Sequence, residues 1–459
     1  PVAPNGGGGG GGSSMTFIDP FRDNNGGGGG FGGGGGSSVD NFGFGGGSGA
    51  LTTTTGGQQQ YQGRPGDVRW ENMEQDALDT SARPVGNVES MEQNPLSEWG
   101  HNNFPWSPAA QQALNTTFNK RNFRLRQLEV VNAVMAERDV FVLLPTGGGK
   151  SLCYQLPATL PNPMQVTFVF SPLVSLIQDQ LMALTSLDIV SAALTGQSPE
   201  EVKRGIFAEW RQGYIQTCLI YSTPEFFGKS DMLLNALRQL NEKGLLARFV
   251  IDEAHCVSAW GHDFRPDYQK LSVLKQMFPN VPITALTATA TVSVLNDVIS
   301  TLRIPQALVF KGSFNRANLK YSCRKVQGKG QSKTVAEIIN KSFRNASGIV
   351  YCLSKKDCEE MAGDLCKAGI AADFYHADAP YRNSRQDKWS HGQIKVICAT
   401  IAFGMGIDKA DVRFVVHAAM PKSIEGYYQE SGRAGRDGLP SECILLHSGS
   451  DKQRLDRLI

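Results

Sequence analysis

Paired cysteines are the first feature that this sequence lacks. Its nine cysteines are odd in number, scattered along the chain and never spaced Cys-x-x-Cys. This pattern excludes a disulfide framework of the kind found in small secreted domains, and it predicts reduced, mostly buried thiols in a cytosolic or nuclear protein. Metal-ligand spacing is missing too, because the seven histidines are dispersed. The loose group Cys352, Cys358 and Cys366 is a weak match to a zinc site.

Long apolar runs and excess charge are also missing. No uninterrupted apolar stretch is long enough to span a bilayer, so the sequence predicts no membrane partner. Residues 1–14 contain neither the basic nor the apolar part of a signal peptide. The net charge of +2 does not identify a partner, because a nearly neutral chain can still concentrate its basic residues in one groove that binds nucleic acid.

Glycine is abundant but unevenly placed, since about half of the 51 glycines precede Gly66. Residues 1–66 are glycine tracts interrupted by single phenylalanines, a composition that cannot bury enough apolar surface to fold and predicts a disordered tail. A second interpretation is that the spaced phenylalanines make weak contacts in self-association or with partner proteins. Residues 67–105 are mixed and acidic, with Trp70 and Trp99, and are predicted to be a linker.

Alternating strand and helix signals begin near Trp106. Apolar stretches typical of buried strands lie at 140–144, 166–171, 217–222, 248–252 and 283–287. Further such stretches follow Asn315, at 348–352, 371–376, 394–400, 412–418 and 442–447. Helical spacing of apolar residues falls between them, for example over 124–137 and 175–187. This alternation predicts an α/β fold with parallel sheets covered by helices on both faces, in two units of residues 106–312 and 313–459.

A glycine-rich turn follows the first predicted strand. It consists of Thr146, Gly147, Gly148, Gly149, Lys150 and Ser151. Glycines let successive backbone N–H groups point at one anion, and the N-terminus of a following helix adds the positive end of its dipole. The Lys150 ammonium would reach the β- and γ-phosphates of a nucleotide, and the Ser151 hydroxyl would bind Mg²⁺. Leu144 stands where the strict pattern has Gly, and the alternative is a surface turn without a ligand.

Two adjacent carboxylates, Asp252 and Glu253, end a later predicted strand. In phosphoryl transfer one carboxylate holds Mg²⁺ and another residue orients the attacking nucleophile, so Asp252 is the predicted metal ligand and Glu253 the predicted base. His255 is then a candidate for coupling this site to neighbouring elements. A solvated strand end is the alternative interpretation of the pair.

Two arginines, Arg433 and Arg436, lie three residues apart between glycines in the second unit. One helical turn would place them on the same face. Arginines in such a position can reach across a cleft to a γ-phosphate, where negative charge develops in the transition state. The alternative is a basic surface turn, but a phosphate loop in the other unit favours arginine fingers.

Taken in order, these motifs resemble those of superfamily-2 helicases, and specifically RecQ-type DNA helicases. The matching stretches are Phe123-Arg124 with Gln127, 146–151, 171–176, 252–255, 286–290, 399–408 and 429–437. The loop at 256–266 is similar to the aromatic-rich loop of this family, and Asp408 with the run 313–316 is most similar to the Bloom-syndrome helicase branch. The resemblance covers about residues 106–447 and implies two tandem RecA-like domains.

The resemblance implies a site for ATP and Mg²⁺. Gln127 would pair with adenine through its amide, Arg124 would stack on or clamp the base, and Asp408 would join the nucleotide-binding residues. The implied catalytic set is Lys150, Asp252, Glu253, Gln429, Arg433 and Arg436, with Ser151 and Asp252 as the Mg²⁺ ligands.

The resemblance also implies a path for single-stranded DNA. Trp260 and Phe264 offer aromatic faces on which bases can stack, for about 1–3 kcal/mol per base, and Arg265 adds a cation. The alternative is a loop anchored by buried aromatic side chains. Expected contacts to the phosphate backbone, which carry no sequence information, come from Ser171, Ser175 and Thr400.

The implied activity is that of an ATP-dependent 3′–5′ DNA helicase acting on single-stranded and forked DNA in nuclear repair and recombination, with the tail as a docking segment for repair proteins. Family members usually continue into a cysteine-rich zinc module and a winged-helix domain, whereas this sequence stops at Ile459. Weak strand separation with intact DNA-stimulated ATP hydrolysis is therefore expected. A translocase that does not unwind, and a scaffold whose motor fold only clamps nucleic acid, stay open as alternatives.

Overall fold

The computed structural model describes residues 96–160, 164–261, 263–326, 330–404, 407, 409–449 and 451. The expected tail at 1–66, the linker up to residue 95 and Asp408 lie outside the described residues. Within the described part, no helix is both long enough and apolar enough to cross a membrane. Cys323 and Cys366 are exposed thiols there, and the other cysteines are buried.

The first unit is built on a parallel sheet of seven strands. These are β1 (Val140–Leu143), β2 (Val166–Phe170), β3 (Ser191–Leu194), β4 (Leu219–Ser222), β5 (Leu246–Ile251), β6 (Ile283–Thr287) and β7 (Leu308–Lys311). Their order is β3-β4-β2-β5-β6-β1-β7, and every pairing is parallel. β3 and β7 were not predicted from the sequence, because both are short edge strands that lack a long apolar run.

The second unit is built on a parallel sheet of six strands. These are β8 (Leu319–Lys325), β9 (Ser347–Tyr351), β10 (Ala372–Tyr375), β11 (Val396–Ala399), β12 (Val412–His417) and β13 (Ser441–His447). Their order is β10-β11-β9-β12-β13-β8, again with every pairing parallel. β8 was not predicted from the sequence either, because this edge strand exposes most of its residues and is rich in charge. The predicted parallel α/β class is confirmed in both units.

Helices connect the strands. They are α1 (Leu96–Trp99), α2 (Ser107–Thr116), α3 (Gln127–Met135), α4 (Leu152–Ala158), α5 (Val174–Thr185), α6 (Glu200–Gln212), α7 (Pro224–Phe227), α8 (Asp231–Glu242), α9 (Pro266–Gln269), α10 (Leu274–Met277), α11 (Val292–Thr301), α12 (Gln331–Ser342), α13 (Lys355–Lys367), α14 (Arg382–Ser390) and α15 (Ile424–Ser431). Short 3₁₀ turns lie at Ala254–Val257 and Lys270–Val273.

Each sheet is buried on both faces. Along β1, Phe141 and Leu143 belong to one apolar cluster, whereas Val140 and Val142 belong to another. The alternation follows from the two-residue period of a strand, and it explains why these strands are apolar throughout. In the second sheet Val350 and Ile349 are divided between two clusters in the same way. Because all strands run parallel, the loops at their carboxyl ends meet along one edge of each sheet.

Gly348→Ala tests the packing of the second sheet. A Cβ at Gly348, in β9, would overlap the ring of Phe414 in β12, so we expect a loss of about 1–3 kcal/mol in the free energy of unfolding. Gly363, inside α13, is a matched control because its added Cβ would meet nothing within 4 Å. Gly363→Ala should stabilise by about 0.5–1 kcal/mol, since alanine is the better helix former. Urea unfolding shifts of the same sign in both variants would contradict this packing.

Candidate functional site

The glycine-rich turn joins β1 to α4 as expected. Gly147 and Gly149 have φ of +76° and +74°, in the left-handed region that favours glycine. Between them, the Gly148 N–H donates to the Pro145 carbonyl at 2.9 Å. The helix then begins at Leu152. This strand, glycine turn and helix start together fit an anion-binding loop.

Gln127, at the start of α3, is bound to this loop. Its Nε2 donates to the Gly149 carbonyl at 3.0 Å and lies 3.4 Å from the Gly148 carbonyl, while its Oε1 accepts from the backbone N–H of Arg124 at 2.7 Å. Gln127 is 3% exposed, whereas the Arg124 side chain is exposed. The amide predicted to pair with adenine is thus bonded to the phosphate loop here, and adenine binding stays a prediction that requires these bonds to be exchanged.

Asp252 lies buried directly after β5 and near the loop. Burial, and then repulsion from Glu253, raises the pKa of the Asp252 carboxyl to about 7, against the opposite effect of the Lys150 ammonium. The Oδ1 of Asp252 accepts from the backbone N–H of Glu253 at 3.0 Å. Glu253 itself has a φ of +48°, a costly conformation for a side-chain residue and one that clusters at functional sites. A buried acid next to a loop lysine fits a divalent cation, which would favour the charged carboxylate.

The Glu253 carboxylate points towards His255 and the end of β6. Its Oε2 lies 3.4 Å from His255 Nδ1, and the same nitrogen lies 2.7 Å from the hydroxyl of Thr287. Apart from this contact with His255, Glu253 Oε2 is buried and accepts no hydrogen bond from the described residues, which fits a group that orients a water molecule. The contacts of His255 are those expected of a coupling residue.

The two predicted arginine fingers occupy different surroundings. They lie in a turn after α15 rather than in a helix, because α15 ends at Ser431. A Cβ at Gly147 would come within 3.2 Å of Arg436 Cγ, so Arg436 lies against the phosphate loop. Arg433 is 3% exposed inside the second unit, where its positive charge opposes the burial that raises the pKa of Tyr351 to about 12. Gln429 is half-buried on α15.

Arg316 is a residue whose role the sequence did not indicate. Its guanidinium donates to the carbonyls of Gly432, Ala434 and Gly435 at 2.5, 2.8 and 2.7 Å. Its Cζ would lie 3.8 Å from a Cβ at Gly147. The run 313–316 contributed only to the resemblance, because an arginine before a strand has no local pattern that reveals partners more than a hundred residues away.

The aromatic-rich loop lies on the surface of the first unit. Trp260 is 79% exposed and Phe264 is 36% exposed, so the alternative of a loop anchored by a buried tryptophan does not fit. Arg265 donates to the Pro172 carbonyl at 2.7 Å and lies 3.5 Å from Asp263, and so it holds the loop to the segment before α5.

The expected contacts to the DNA backbone divide by exposure. Ser171 is 1% exposed, because it ends a central strand and its N–H donates to the Ser222 carbonyl. Its contact with DNA stays a prediction, one that requires this buried hydroxyl to become accessible when DNA binds. Ser175 is exposed on α5 and Thr400 is half-buried after β11.

A chain of contacts connects the acidic site with this loop. The Cys256 thiol lies 3.8 Å from His255 Nε2 and 3.9 Å from an Asp263 carboxylate oxygen. Asp263 in turn approaches Arg265. His255, which faces Glu253, is thus linked through Cys256 and Asp263 to Arg265, which holds the aromatic loop in place.

Asp252→Asn, in protein free of nucleotide and Mg²⁺, tests the cost of this buried carboxylate. The pKa of the Asp252 carboxyl in the folded protein, about 7, lies above its ordinary value of 3.8. The folded state therefore binds this proton more tightly than the unfolded state does. The resulting contribution to the free energy of unfolding is fully present below about pH 4 and is lost as the pH rises through 7. Asparagine carries no such charge. We expect the variant's stability advantage to be larger at about pH 8 than at about pH 5, by on the order of 3 kcal/mol. Equal advantages in thermal unfolding at the two pH values would contradict the raised pKa.

Comparison with known proteins places this geometry in a family. The family model described as "DEAD/DEAH box helicase" matches residues 124–298, and "Helicase conserved C-terminal domain" matches residues 330–438. "ATP-dependent DNA helicase Q-like 2" of Arabidopsis thaliana is 47% identical over 388 residues, which are 83% of this chain and 54% of that protein. "RecQ-like DNA helicase BLM" of Xenopus laevis is 50% identical over 360 residues, 78% of this chain and 26% of that protein.

A solved structure shares the fold. The helicase MrfA bound to DNA superimposes with a TM-score of 0.61 at 17% identity, over 76% of this chain and 52% of that one. The chain thus spans about half or less of the length of these proteins. Identities of 47% and 50% with a Q-like and a BLM relative do not separate the branches, so the Bloom-syndrome branch stays a prediction. With both helicase models matched in order and RecQ-named relatives along most of its length, this chain belongs to the RecQ-type superfamily-2 helicases and carries their core.

Proposed function

We propose that the chain is an ATP-driven motor that moves along single-stranded DNA and separates the strands of a duplex. One observation carries the proposal: the turn with Arg436, in the second unit, lies against Gly147 of the phosphate loop in the first. A nucleotide site shared between two units changes when the units move, which is what a motor driven by hydrolysis requires. Residues 106–312 and 313–459 are the two proposed motor domains.

In the proposed reaction, Lys150 binds the β- and γ-phosphates of the ATP substrate, and Thr146 and the three loop glycines enclose them. Ser151 and Asp252 would hold Mg²⁺, which would neutralise negative charge at the phosphates. Glu253 orients a water molecule whose oxygen attacks the γ-phosphorus and whose proton it accepts, while the bond to the β–γ bridging oxygen breaks. The buried Oε2 of Glu253 supports this assignment.

Arg436 is the proposed finger that stabilises charge developing on the γ-phosphate. Arg433 and Gln429 are proposed to support its turn from the second unit, since Arg433 is buried beside Tyr351. Loss of the γ-phosphate removes the ligand that both units share, so the cleft opens. Because the two units bind the DNA backbone tightly in alternation, each opening and closing moves the protein along the strand. The 3′–5′ direction and the role of Asp408 are proposed from the family alone.

The proposed DNA path runs over Trp260 and Phe264 and past Ser175 and Thr400. Exposed aromatic faces stack on bases regardless of sequence, and the relative MrfA was solved bound to DNA. Arg265 is proposed to add a cation to this DNA path while its bond to the Pro172 carbonyl positions the loop. We also propose a nuclear location, single-stranded and forked DNA as substrates, and repair proteins as partners of residues 1–66.

Lys150→Ala tests the nucleotide site. We expect ATP hydrolysis with single-stranded DNA and Mg²⁺ to fall to background, because the cation that pairs with the β- and γ-phosphates is gone. Lys356→Ala, which removes an exposed lysine on α13, is the matched control and should keep wild-type turnover. Turnover that survives Lys150→Ala would show that the loop is not the ATP site. If the wild-type chain hydrolyses ATP on a forked duplex without separating its strands, the translocase is favoured. If it shows neither activity, the scaffold is favoured.

Trp260→Ala tests the DNA path. We expect basal hydrolysis to persist and the stimulation by single-stranded DNA to fall about tenfold or more, because loss of one stacked base removes about 1–3 kcal/mol of binding. Tyr214→Ala removes another exposed aromatic ring, 70% exposed, at a site away from the loop, and serves as the control. An unchanged ratio of stimulated to basal rate in Trp260→Ala would remove the loop from the DNA path.

A further inference from the structure

The segment between the two sheets is tied to the first unit at its start. β7 ends at Lys311, and the next N–H, of Gly312, donates to the Leu143 carbonyl of β1 at 2.8 Å. A Cβ at Gly312 would lie 2.6 Å from a methyl carbon of Leu144. The chain therefore leaves the first sheet directly beside the residues that lead into the phosphate loop.

Four residues later, the same segment binds the second unit through Arg316. Its three hydrogen bonds end on the carbonyls of Gly432, Ala434 and Gly435, which enclose the turn between Arg433 and Arg436. Asn318 adds bonds to the carbonyls of Gly435 and Leu439 at 2.9 and 3.0 Å. Bonds from a charged donor are the stronger class, and the planar guanidinium fixes the orientation of each acceptor.

The segment also binds the helix that precedes this turn. The Tyr428 hydroxyl on α15 donates to the Phe314 carbonyl at 3.0 Å, and the two rings meet edge to face with centroids 5.9 Å apart. Both ends of the arginine-bearing turn are thus held by residues 314–318. Only Ser313 lies between the bond of Gly312 to the first unit and the bond of Phe314 to the second.

The environment of Arg316 shows that it is not a simple surface cation. Burial, and then repulsion from the Arg436 guanidinium, lowers the pKa of Arg316. A second cation is held close to Arg436, at the edge of the phosphate loop, even though the two repel. Since the Arg316 N–H groups bind carbonyls, its described contacts fix backbone rather than pair with an acid.

From these contacts we propose that Arg316 is a positioning residue for Arg436: it fixes the backbone of the turn so that the Arg436 guanidinium meets the γ-phosphate when the cleft is closed. This inference rests on the proposed function, in which Arg436 is the finger. Because Arg316 starts the second unit, it also ties the position of the finger to the connection between the units. Arg316 acts through Arg436 and does not itself contact the reacting atoms.

The test compares Arg316→Ala, Arg316→Lys, Arg436→Ala and the double variant in DNA-stimulated ATP hydrolysis. We expect Arg316→Ala to lower kcat about 10- to 100-fold with KM changed less than about threefold. A displacement of Arg436 by about 1 Å weakens its contact with the transition state but leaves the binding of ATP largely unchanged. Lysine should not restore kcat, since its compact ammonium lacks the rigid planar fork with which the guanidinium reaches the three carbonyls. Arg324→Ala, an exposed arginine of β8, is the control and should match the wild type.

The double variant separates positioning from a general structural role. If Arg316 acts through Arg436, adding Arg316→Ala to Arg436→Ala should lower kcat less than about twofold further, whereas independent effects multiply. The proposal would be overturned if the fold losses in kcat of the two single variants multiply in the double variant. Wild-type kcat in Arg316→Lys would overturn it as well. If Arg316→Ala lacks a cooperative unfolding transition, Arg316→Lys carries the same comparison. Wild-type kcat in Arg436→Ala would instead refute the finger of the proposed function, which is a separate result.

Discussion

The contact between the arginine-bearing turn and the phosphate loop is the interaction on which the site depends. The two sheets have separate apolar cores, so neither core by itself fixes where the other unit lies. Gly147, which lacks a side chain, allows Arg436 to approach the loop backbone. Asp252, which is buried with a raised pKa, lies near Lys150 of the same loop. Arg436 of one unit and Lys150 and Asp252 of the other thus lie around the loop, a distribution of charge that fits the polyphosphate and divalent cation of the proposed function.

The sequence predicted those parts of the fold and site that depend on local pattern. Central strands were found because burial on both faces makes them apolar throughout. The edge strands β3, β7 and β8 were missed, since an exposed edge relaxes that requirement. The phosphate loop and the Asp252–Glu253 pair could be recognised because their chemistry is confined to a few consecutive residues. Tertiary bonds could not be recognised, and Arg316 shows this best, with acceptors 116 to 119 residues away.

Two site residues show how burial changes the meaning of a polar side chain. Gln127 has the amide for reading a base, but in the fold that amide is bonded to the loop beneath it. Ser171 has the hydroxyl for a phosphate, but it lies at the end of a central strand and is buried. Whether a side chain is exposed depends on neighbours from distant elements, and the spacing of residues in the sequence does not show those neighbours. The exposed Trp260 is the opposite case, since its size alone favours burial and its place on the loop prevents it.

The pairing of β8 with β13 has a consequence for the order in which the second unit assembles. Among the described residues β8 is the first strand of this unit and β13 the last, and they lie side by side with Ser441 opposite Leu319. A ribosome-bound chain has made β8 long before its neighbour exists, so this charged strand remains unpaired until nearly the whole unit has been synthesised. While β8 is unpaired, its exposed and charged side chains oppose edge-to-edge association with strands of other chains. The turn with Arg436 is then positioned late, when it and β13 join a nascent unit that already contains Arg316.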